Sequence, residues 1–345
     1  MKVFHTPPRC LALALALALA PWSGAEVVML DPNARVVALA NTVAALNGMP
    51  DMYGNPATIG GVTSLSFVAG YNMHFPGILP QGQEIMDFHV SIVSPVVTVK
   101  KAVLSTFGIS LYNRPLAGVY ELMTVGVAGT FNFGKLNAFR KAKIQDLILG
   151  VRLKVFDASY KYNGELGIPA LPNDLKRQFN IFNTDVGLQA QLFKPGLWLG
   201  FSAVNILPFG YGASSNALVS SPSLVEGNDM QMALGGRYDI NLGRFVVLTP
   251  ALDATLVGPP ISTTNGSLAF GGRGSLEANF LDLIYLRLGV GLSTTDAFHM
   301  GVGMGLHLQM DKFVADVDLA FKWLPTETQL GTSIQTLAIN VSAKL

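Results

Sequence analysis

The chain alternates between apolar residues and polar or small ones, position by position, over unusually long runs. From Phe298 to Met310, Phe, Met, Val and Leu occupy every second position, with His, Gly and Gln between them. Ile284–Thr294, Phe313–Trp323 and Leu337–Leu345 repeat the pattern. A period of two is that of a β-strand with two different faces. Three of these runs have 11 to 13 residues and the last has nine, more than the ~5–6 common in soluble domains, and they suit a tilted strand that crosses a bilayer.

The composition indicates contact with lipid but argues against membrane helices. Hydrophobic residues make up 50% of the chain and charged residues only 13%, whereas soluble domains average about 25% charged. Beyond residue 25, no unbroken apolar run reaches the ~18 residues that a membrane helix needs. Only helices and closed barrels satisfy every backbone polar group inside a bilayer. The sequence therefore predicts an all-β fold, a transmembrane antiparallel barrel.

Segments with the same alternation predict about fourteen strands within residues 63–345, an even number as in bacterial barrels. Besides the four runs above, they lie near 63–75, 85–95, 99–112, 120–133, 146–162, 183–194, 197–208, 229–241, 245–257 and 266–281. Connections after odd strands are long, near 163–182, 209–228, 258–265 and 324–332, and we expect them to be extracellular. Connections after even strands are tight, as at Asp282-Leu283 and Asp311-Lys312, and Gly134–Gln145 is the exception.

Residues 1–25 have the features of a secretory signal peptide. Lys2 and Arg9 precede the short apolar run Leu11–Ala20, and Ser23 and Ala25 place small residues before a cleavage site. The single cysteine of the chain precedes the apolar run, so we expect no lipid attachment. Without it, the exported chain has no cysteine and forms no disulfide. The sequence thus predicts export.

Residues 26–62 differ from the rest of the chain. Ala34–Leu46 is apolar and suits a short helix, and Asn47–Gly61 is rich in Gly, Pro, Asn and Met. A barrel of about fourteen strands has a lumen that is either filled or open to solutes. We expect this segment to be a hatch inside the lumen, and the alternative is an arm in the periplasm.

This segment resembles the start of FadL-like outer-membrane proteins, the transporters of long-chain fatty acids and other hydrophobic compounds. The likeness is carried by Ala34–Ala40, Ala44–Leu46, Tyr53–Ala57 and Gly60. Ala203–Leu207 resembles the divergent branch with PorV-type and spirochaete barrels. The resemblance implies a 14-stranded outer-membrane barrel, a hatch marked by Asn55, Pro56 and Ala57, and passive uptake. Barrels of this family commonly end in an aromatic residue read by the barrel-insertion machinery, and here the end is Leu345.

The resemblance also implies an apolar landing site for the ligand on two extracellular loops. By the strand count these are Asn163–Phe182 and Phe209–Asn228. The candidate ligand-binding residues are Met49, Met52 and Tyr53 in the hatch and Leu171, Phe179, Phe182, Phe209 and Tyr211 in the loops. Exposed apolar loops are costly unless they bind something. The alternatives are that the loops pack on each other and that the hatch residues pack on the wall.

Polar residues on the strands are predicted to line the lumen, namely Arg237, Asp239, Arg287, His299, His307, Asp316 and Asp318. The two histidines are about 26 Å apart at ~3.3 Å per residue, too far to share a metal. No serine stands beside a histidine in a hydrolase motif, and no phosphate loop, zinc spacing or haem motif is present. We therefore predict no enzyme activity, catalytic residue, metal or cofactor.

Three functions remain open at this point. The first is a passive channel, whose partners are outer-membrane lipid and a hydrophobic small molecule. The second is a PorV-type shuttle barrel, which would hold a secreted or periplasmic protein. The third is a general porin. The net charge of +1 gives no reason to expect nucleic-acid binding.

Overall fold

A computed structural model provides the structure of the protein. It describes residues 33–76, 85–99, 102–116, 120–136, 139, 144–160, 177–192, 196–207, 209–212, 230–258, 268–294, 298–311, 313–325 and 333–345. The predicted signal peptide and the first residues of the predicted hatch lie outside this part of the chain.

Long antiparallel strands make up nearly all of the regular structure and form a closed barrel with fourteen wall strands, which confirms the predicted fold class. The segments are β1 Ser66–Pro76, β2 Ile85–Val99, β3 Ala102–Leu116, β4 Tyr120–Asn132, β5 Asp146–Tyr160, β6 Arg177–Gln191, β7 Leu197–Val204, β8 Phe209–Gly212, β9 Met230–Tyr238, β10 Ile240–Leu242, β11 Val246–Gly258, β12 Ala269–Phe280, β13 Ile284–Ser293, β14 His299–Met310, β15 Phe313–Pro325 and β16 Ser333–Lys344.

Pairing between the first and last strands closes the wall. β1 pairs with β16 over its whole length, and each of the other wall strands pairs with the wall strand before it and the one after it. β7 and β8 are two parts of the seventh wall strand, because both pair with β6. β9 and β10 likewise pair with β11 and form the eighth. Closure satisfies the backbone groups that an open sheet edge would expose.

The outer face of the wall is apolar. Ile284, Leu286, Leu288, Val290 and Leu292 of β13 are 38–52% exposed, and the residues between them turn inward. Apolar side chains on this scale are stable against lipid and costly against water. No helix in the described ranges is long and apolar enough to cross a membrane. The outward apolar side chains of the wall strands form the surface that suits contact with a bilayer.

Long and short connections separate to opposite ends of the barrel. One end, the long-connection end, carries the strand ends that flank the long connections, such as Tyr160 and Arg177, which pair with each other. The other end, the short-turn end, carries the turns 243–245 and 281–283 and the paired strand ends Met310 and Phe313. The exception, residues 133–145, begins with the 3₁₀ turn Phe133–Lys135, in which the Asn132 side chain accepts the Gly134 N–H.

The predicted bounds of the landing loops are wrong. β6 begins at Arg177, so Phe179 and Phe182 lie in a strand, and Phe182 is 48% exposed on its outer face. Phe209 and Tyr211 belong to β8, paired with Phe182 and Asn180. Pairing of β6 with β5 as far as Tyr160 and Arg177 extends the wall at the expense of the loops. Leu171 lies outside the described residues.

Candidate functional site: the lumen and its inner segment

Residues 33–62, here called the inner segment, run through the lumen. They contain the short helix α1 (Ala34–Ala38) and the 3₁₀ turn Pro56–Gly61. α1 contacts β13 to β16, and the turn contacts β3 to β6, so the segment reaches opposite sides of the wall. Most of its residues are buried. These contacts lie on the inward face of the wall, and the hatch remains a prediction.

Asn55 organises the 3₁₀ turn and ties it to the wall. Its Oδ1 accepts the Ala57 N–H at 2.9 Å, which is the capping contact of the turn. Its Nδ2 donates to the Ala44 carbonyl at 2.7 Å and to the Phe201 carbonyl of β7 at 3.1 Å. Asn55 therefore shapes the backbone, as its side chain makes three protein contacts and is fully buried. Pro56 is the first residue of the turn, and its ring fixes the backbone angle φ that the turn requires.

Wall glycines provide the room for this turn. A Cβ on Gly150 would lie 2.5 Å from the Ala57 nitrogen, and a Cβ on Gly187 would overlap the Asn55 side chain. Neither Gly150 nor Gly187 can therefore be replaced by a larger residue at an unchanged backbone. Sequence reasoning missed these contacts. The available signal was glycine on the inward face of consecutive strands, where a side chain would normally fill the lumen.

Charged side chains hold the α1 end of the segment. The Arg35 guanidinium forms a bidentate pair with Glu277 of β12, at 2.7 and 2.9 Å. Glu277 also pairs with Arg287 at 2.6 Å, and Arg287 reaches Asp318. Burial works to lower the pKa of the Arg35 guanidinium, but the Glu277 carboxylate more than offsets it, so the pKa lies above its ordinary value. Arg35 therefore stays charged.

The middle of the segment is held through its backbone. The Asp253 carboxylate accepts the Val43 and Ala44 N–H groups at 2.7 and 2.9 Å. Gln189 donates to the Ala44 and Leu46 carbonyls. Polar wall residues thus replace the backbone partners that a segment without strands or long helices lacks.

The predicted hatch residues differ in their surroundings. Met52 is fully buried in an apolar cluster with Ile59, Val62, Val93 and Ala128. Met49 packs in a second cluster and lines a cavity of about 170 Å³ near the short-turn end. The ring of Tyr53 lies among wall side chains, 5.6 Å from the Tyr112 ring. Burial raises the pKa of the Tyr53 hydroxyl, so it stays protonated.

The predicted lumen residues all turn inward, and most of them bind a partner on the wall. His307 contacts Asp316 at 2.5 Å, and Arg237 stacks on the Trp198 ring at 5.4 Å. Asp239 accepts the Thr249 hydroxyl at 3.0 Å at the short-turn end. His299 lies 3.4 Å from the Ala40 carbonyl. Within the described part of the chain, no cluster of three or more His, Cys, Asp or Glu residues is arranged to hold a metal.

The seventh wall strand is interrupted where the sequence predicts a continuous run, 197–208. Ala203 pairs with Val186 and Phe209 with Phe182, so six steps along one strand match four along the other. Asn205 adopts a φ of 60°, and its N–H donates to the Asp185 carboxylate at 2.7 Å. The extra residues form a bulge in the wall beside the inner segment.

The comparisons with known proteins support the fold. No family model matches the chain, and no curated protein does. The Pseudomonas putida toluene transporter TodX matches with a TM-score of 0.56, at 14% identity over 92% of this chain and 99% of that one. The Ralstonia pickettii toluene transporter TbuX gives 0.59 at 11%, with the same coverage. A Pseudomonas aeruginosa FadL homologue gives 0.52 at 13%, again over 92% and 99%. The expected FadL-like architecture is thereby confirmed as a fold.

Proposed function

We propose that the protein is an outer-membrane channel for the passive uptake of hydrophobic molecules, with residues 26–62 as its hatch. The observation that carries the proposal is an inner segment bound to opposite sides of a closed, lipid-facing barrel. The fold is shared with transporters of toluene, which supports a transport role over an enzymatic one. Long-chain fatty acids are the ligand class that the sequence resemblance favours.

The lumen suits gated passage better than free diffusion. The contacts of α1 and of the 3₁₀ turn with opposite sides of the wall support a hatch over the open channel of a general porin. A ligand that crosses must displace part of this segment from the wall. Its contacts are hydrogen bonds, ion pairs and small apolar clusters, each worth a few kcal/mol at most. Part of the inner segment can therefore leave the wall at a small cost in free energy while the barrel stays folded. Passage then needs no external energy source.

Binding and uptake of a fluorescent fatty acid test this function. Purified protein in nanodiscs should bind the probe, and unlabelled long-chain fatty acid should displace it. Proteoliposomes should take it up faster than empty liposomes. Absence of binding together with uptake equal to that of empty liposomes would contradict the proposal.

Conductance provides a second test, because it separates the channel from a porin. Intact protein in planar bilayers should show small or rare openings, whereas removal of residues 26–62 should give a large, steady conductance. A large steady conductance from the intact protein would favour the porin and refute the hatch.

A further inference from the structure

Two cavities border the inner segment, one towards each end of the barrel. The smaller, of about 40 Å³, lies towards the long-connection end, and its lining includes Tyr53 and Thr124. The larger, of about 170 Å³, lies towards the short-turn end, and its lining includes Asn340 and Ser342. An ordered water needs roughly 10–15 Å³, so each cavity has room for water.

A row of inward side chains on neighbouring wall strands connects the two cavities. His89, Tyr112 and Thr124 are register partners across β2, β3 and β4. On the other side of His89, Gly70 of β1 lies between it and Asn340 of β16. A Cβ on Gly70 would overlap both neighbours, so glycine at this position lets their side chains meet. The row spans four strand spacings, about 19 Å at ~4.8 Å each.

The hydrogen bonds of Asn340 determine which nitrogen of the His89 ring carries the proton. The Asn340 Oδ1 accepts the Ala34 N–H at 3.2 Å, which makes Nδ2 the amide atom that lies 3.3 Å from His89 Nε2. An amide nitrogen only donates, so His89 Nε2 accepts and the ring proton is on Nδ1. This buried Nδ1 has no hydrogen-bond partner among the described residues. His89 therefore presents an unpaired N–H group to the interior.

Three further polar groups beside this row have no partner in the described part of the chain. They are Asp51 Oδ2 and the hydroxyls of Ser91 and Thr124, each on a residue that is at most 4% exposed. Asp51 lies two residues before Tyr53, whose ring packs edge-on against His89 with centroids 6.1 Å apart. Buried donors and acceptors without a protein partner are normally bound by ordered water.

We propose that a file of ordered water molecules follows this row and makes the protein permeable to water. Water enters at the cavity beside Thr124, passes the polar edge of the His89 ring and reaches the cavity beside Asn340, and it moves equally in the opposite direction. The path runs between the inner segment and the wall, so it needs no movement of the segment. Water permeation is thus a second activity, independent of the uptake of hydrophobic molecules.

The same groups restrict the path to water. The rings of Tyr53 and His89 are in contact, so solutes much larger than water have no room beside them. An ion on this path would exchange its hydration shell for single hydroxyl, ring and carboxylate groups, and desolvation of a charge is costly. The structure therefore favours passage of water over that of ions and sugars.

Osmotic shrinkage of proteoliposomes tests the path. Purified full-length protein in phosphatidylcholine liposomes is mixed rapidly with sucrose, and light scattering follows the loss of water. Wild-type vesicles should shrink at least twofold faster than empty liposomes and should stay shrunken, because sucrose is excluded. Shrinkage at the rate of empty liposomes would overturn the water path, and re-swelling in sucrose would also overturn it, since it indicates an open pore. Uptake of the fluorescent fatty acid by the same vesicles reports separately on the proposed function.

A double variant localises the effect. Ser91→Val with Thr124→Val replaces two unpartnered hydroxyls by methyl groups and should remove more than half of the increase in shrinkage rate. Thr255→Val is the matched control, because Thr255 is an inward, buried residue of β11 on the opposite side of the lumen, and it should keep the wild-type rate. Equal fatty-acid uptake in all three proteins shows that the variants are folded. Wild-type shrinkage in the folded double variant would contradict the assignment of the path to this row.

Discussion

The two ends of the inner segment are attached to the wall by different interactions. The α1 end is held by a chain of charges from Arg35 to Asp318, in which Glu277 and Arg287 are buried and the two end residues are partly buried. The 3₁₀ turn is held by the neutral side chain of Asn55 and by close approach to wall glycines. Loss of a partner from buried charges costs more than loss of a neutral hydrogen bond. Attachment of the α1 end to the wall therefore depends on ion pairs, whereas attachment of the turn end depends on close steric fit.

The largest effect is expected from Glu277→Gln, because it leaves two guanidinium groups without their shared carboxylate. Breaking a buried pair costs about 3–5 kcal/mol. Limited proteolysis should then cut the variant within the inner segment while the barrel stays intact. Asp318→Asn is the matched control, since Arg287 keeps Glu277, and it should cost less. Equal protease resistance in wild type and Glu277→Gln would refute the charged attachment.

Gly187→Val tests the shape of the turn end and should rank second. Its side chain would occupy the position of the Asn55 amide, and overpacking costs about 1–3 kcal/mol. Thermal unfolding in detergent should show a lowered Tm. Gly272→Ala is the control, because nothing lies within 4 Å of its added Cβ. A Tm equal to that of Gly272→Ala would show that the turn does not contact Gly187.

Asn55→Ala should have a smaller effect on stability but a clear one on gating. It removes the cap of the 3₁₀ turn and leaves two buried carbonyls with fewer donors, at a cost of roughly 1–2 kcal/mol. More frequent openings in planar bilayers are the expected result. Conductance like that of wild type would mean that Asn55 shapes the turn without holding it to β7.

Phe182→Leu should have the smallest effect. The side chain lies on the outer face of β6, where lipid replaces its contacts. Binding of the fluorescent fatty acid should be unchanged within twofold. A large loss of affinity for the fluorescent fatty acid would show that Phe182 contributes to the ligand-binding site that the sequence predicted.

The barrel could be predicted from sequence because its pattern is local and imposed by the bilayer. Each strand shows its two faces in its own residues, as Leu286 and Arg287 do on β13. The bulge at Asn205 could not be predicted, since its backbone depends on the Asp185 side chain across the sheet. The start of β6 was missed because Ile181 is buried and the adjacent Phe182 faces outward, so two neighbouring apolar residues interrupt the alternation.

The contacts of the inner segment were beyond sequence reasoning for a different reason. Arg35 and Glu277 are 242 residues apart, and no local pattern links them. The Asn55-Pro56-Ala57 motif indicated a turn, but its wall partners Gly150 and Gly187 follow from the register of β5 and β6. The lumen residues were predicted as polar lining, whereas their pairing required the closed barrel.

A reversible link between α1 and the wall tests most directly whether passage requires movement of the inner segment. The side chains of Ala38→Cys and Gly303→Cys would be adjacent: a Cβ on Gly303 lies 2.6 Å from that of Ala38, and a shift of α1 by about 1 Å gives the ~3.8 Å of a disulfide. Ala38→Cys with Gly272→Cys, on the outer face, is the unlinked control. Uptake of the fluorescent fatty acid by proteoliposomes should fall to background in the oxidised pair and return with reductant. Undiminished uptake through the fully linked protein would contradict the account.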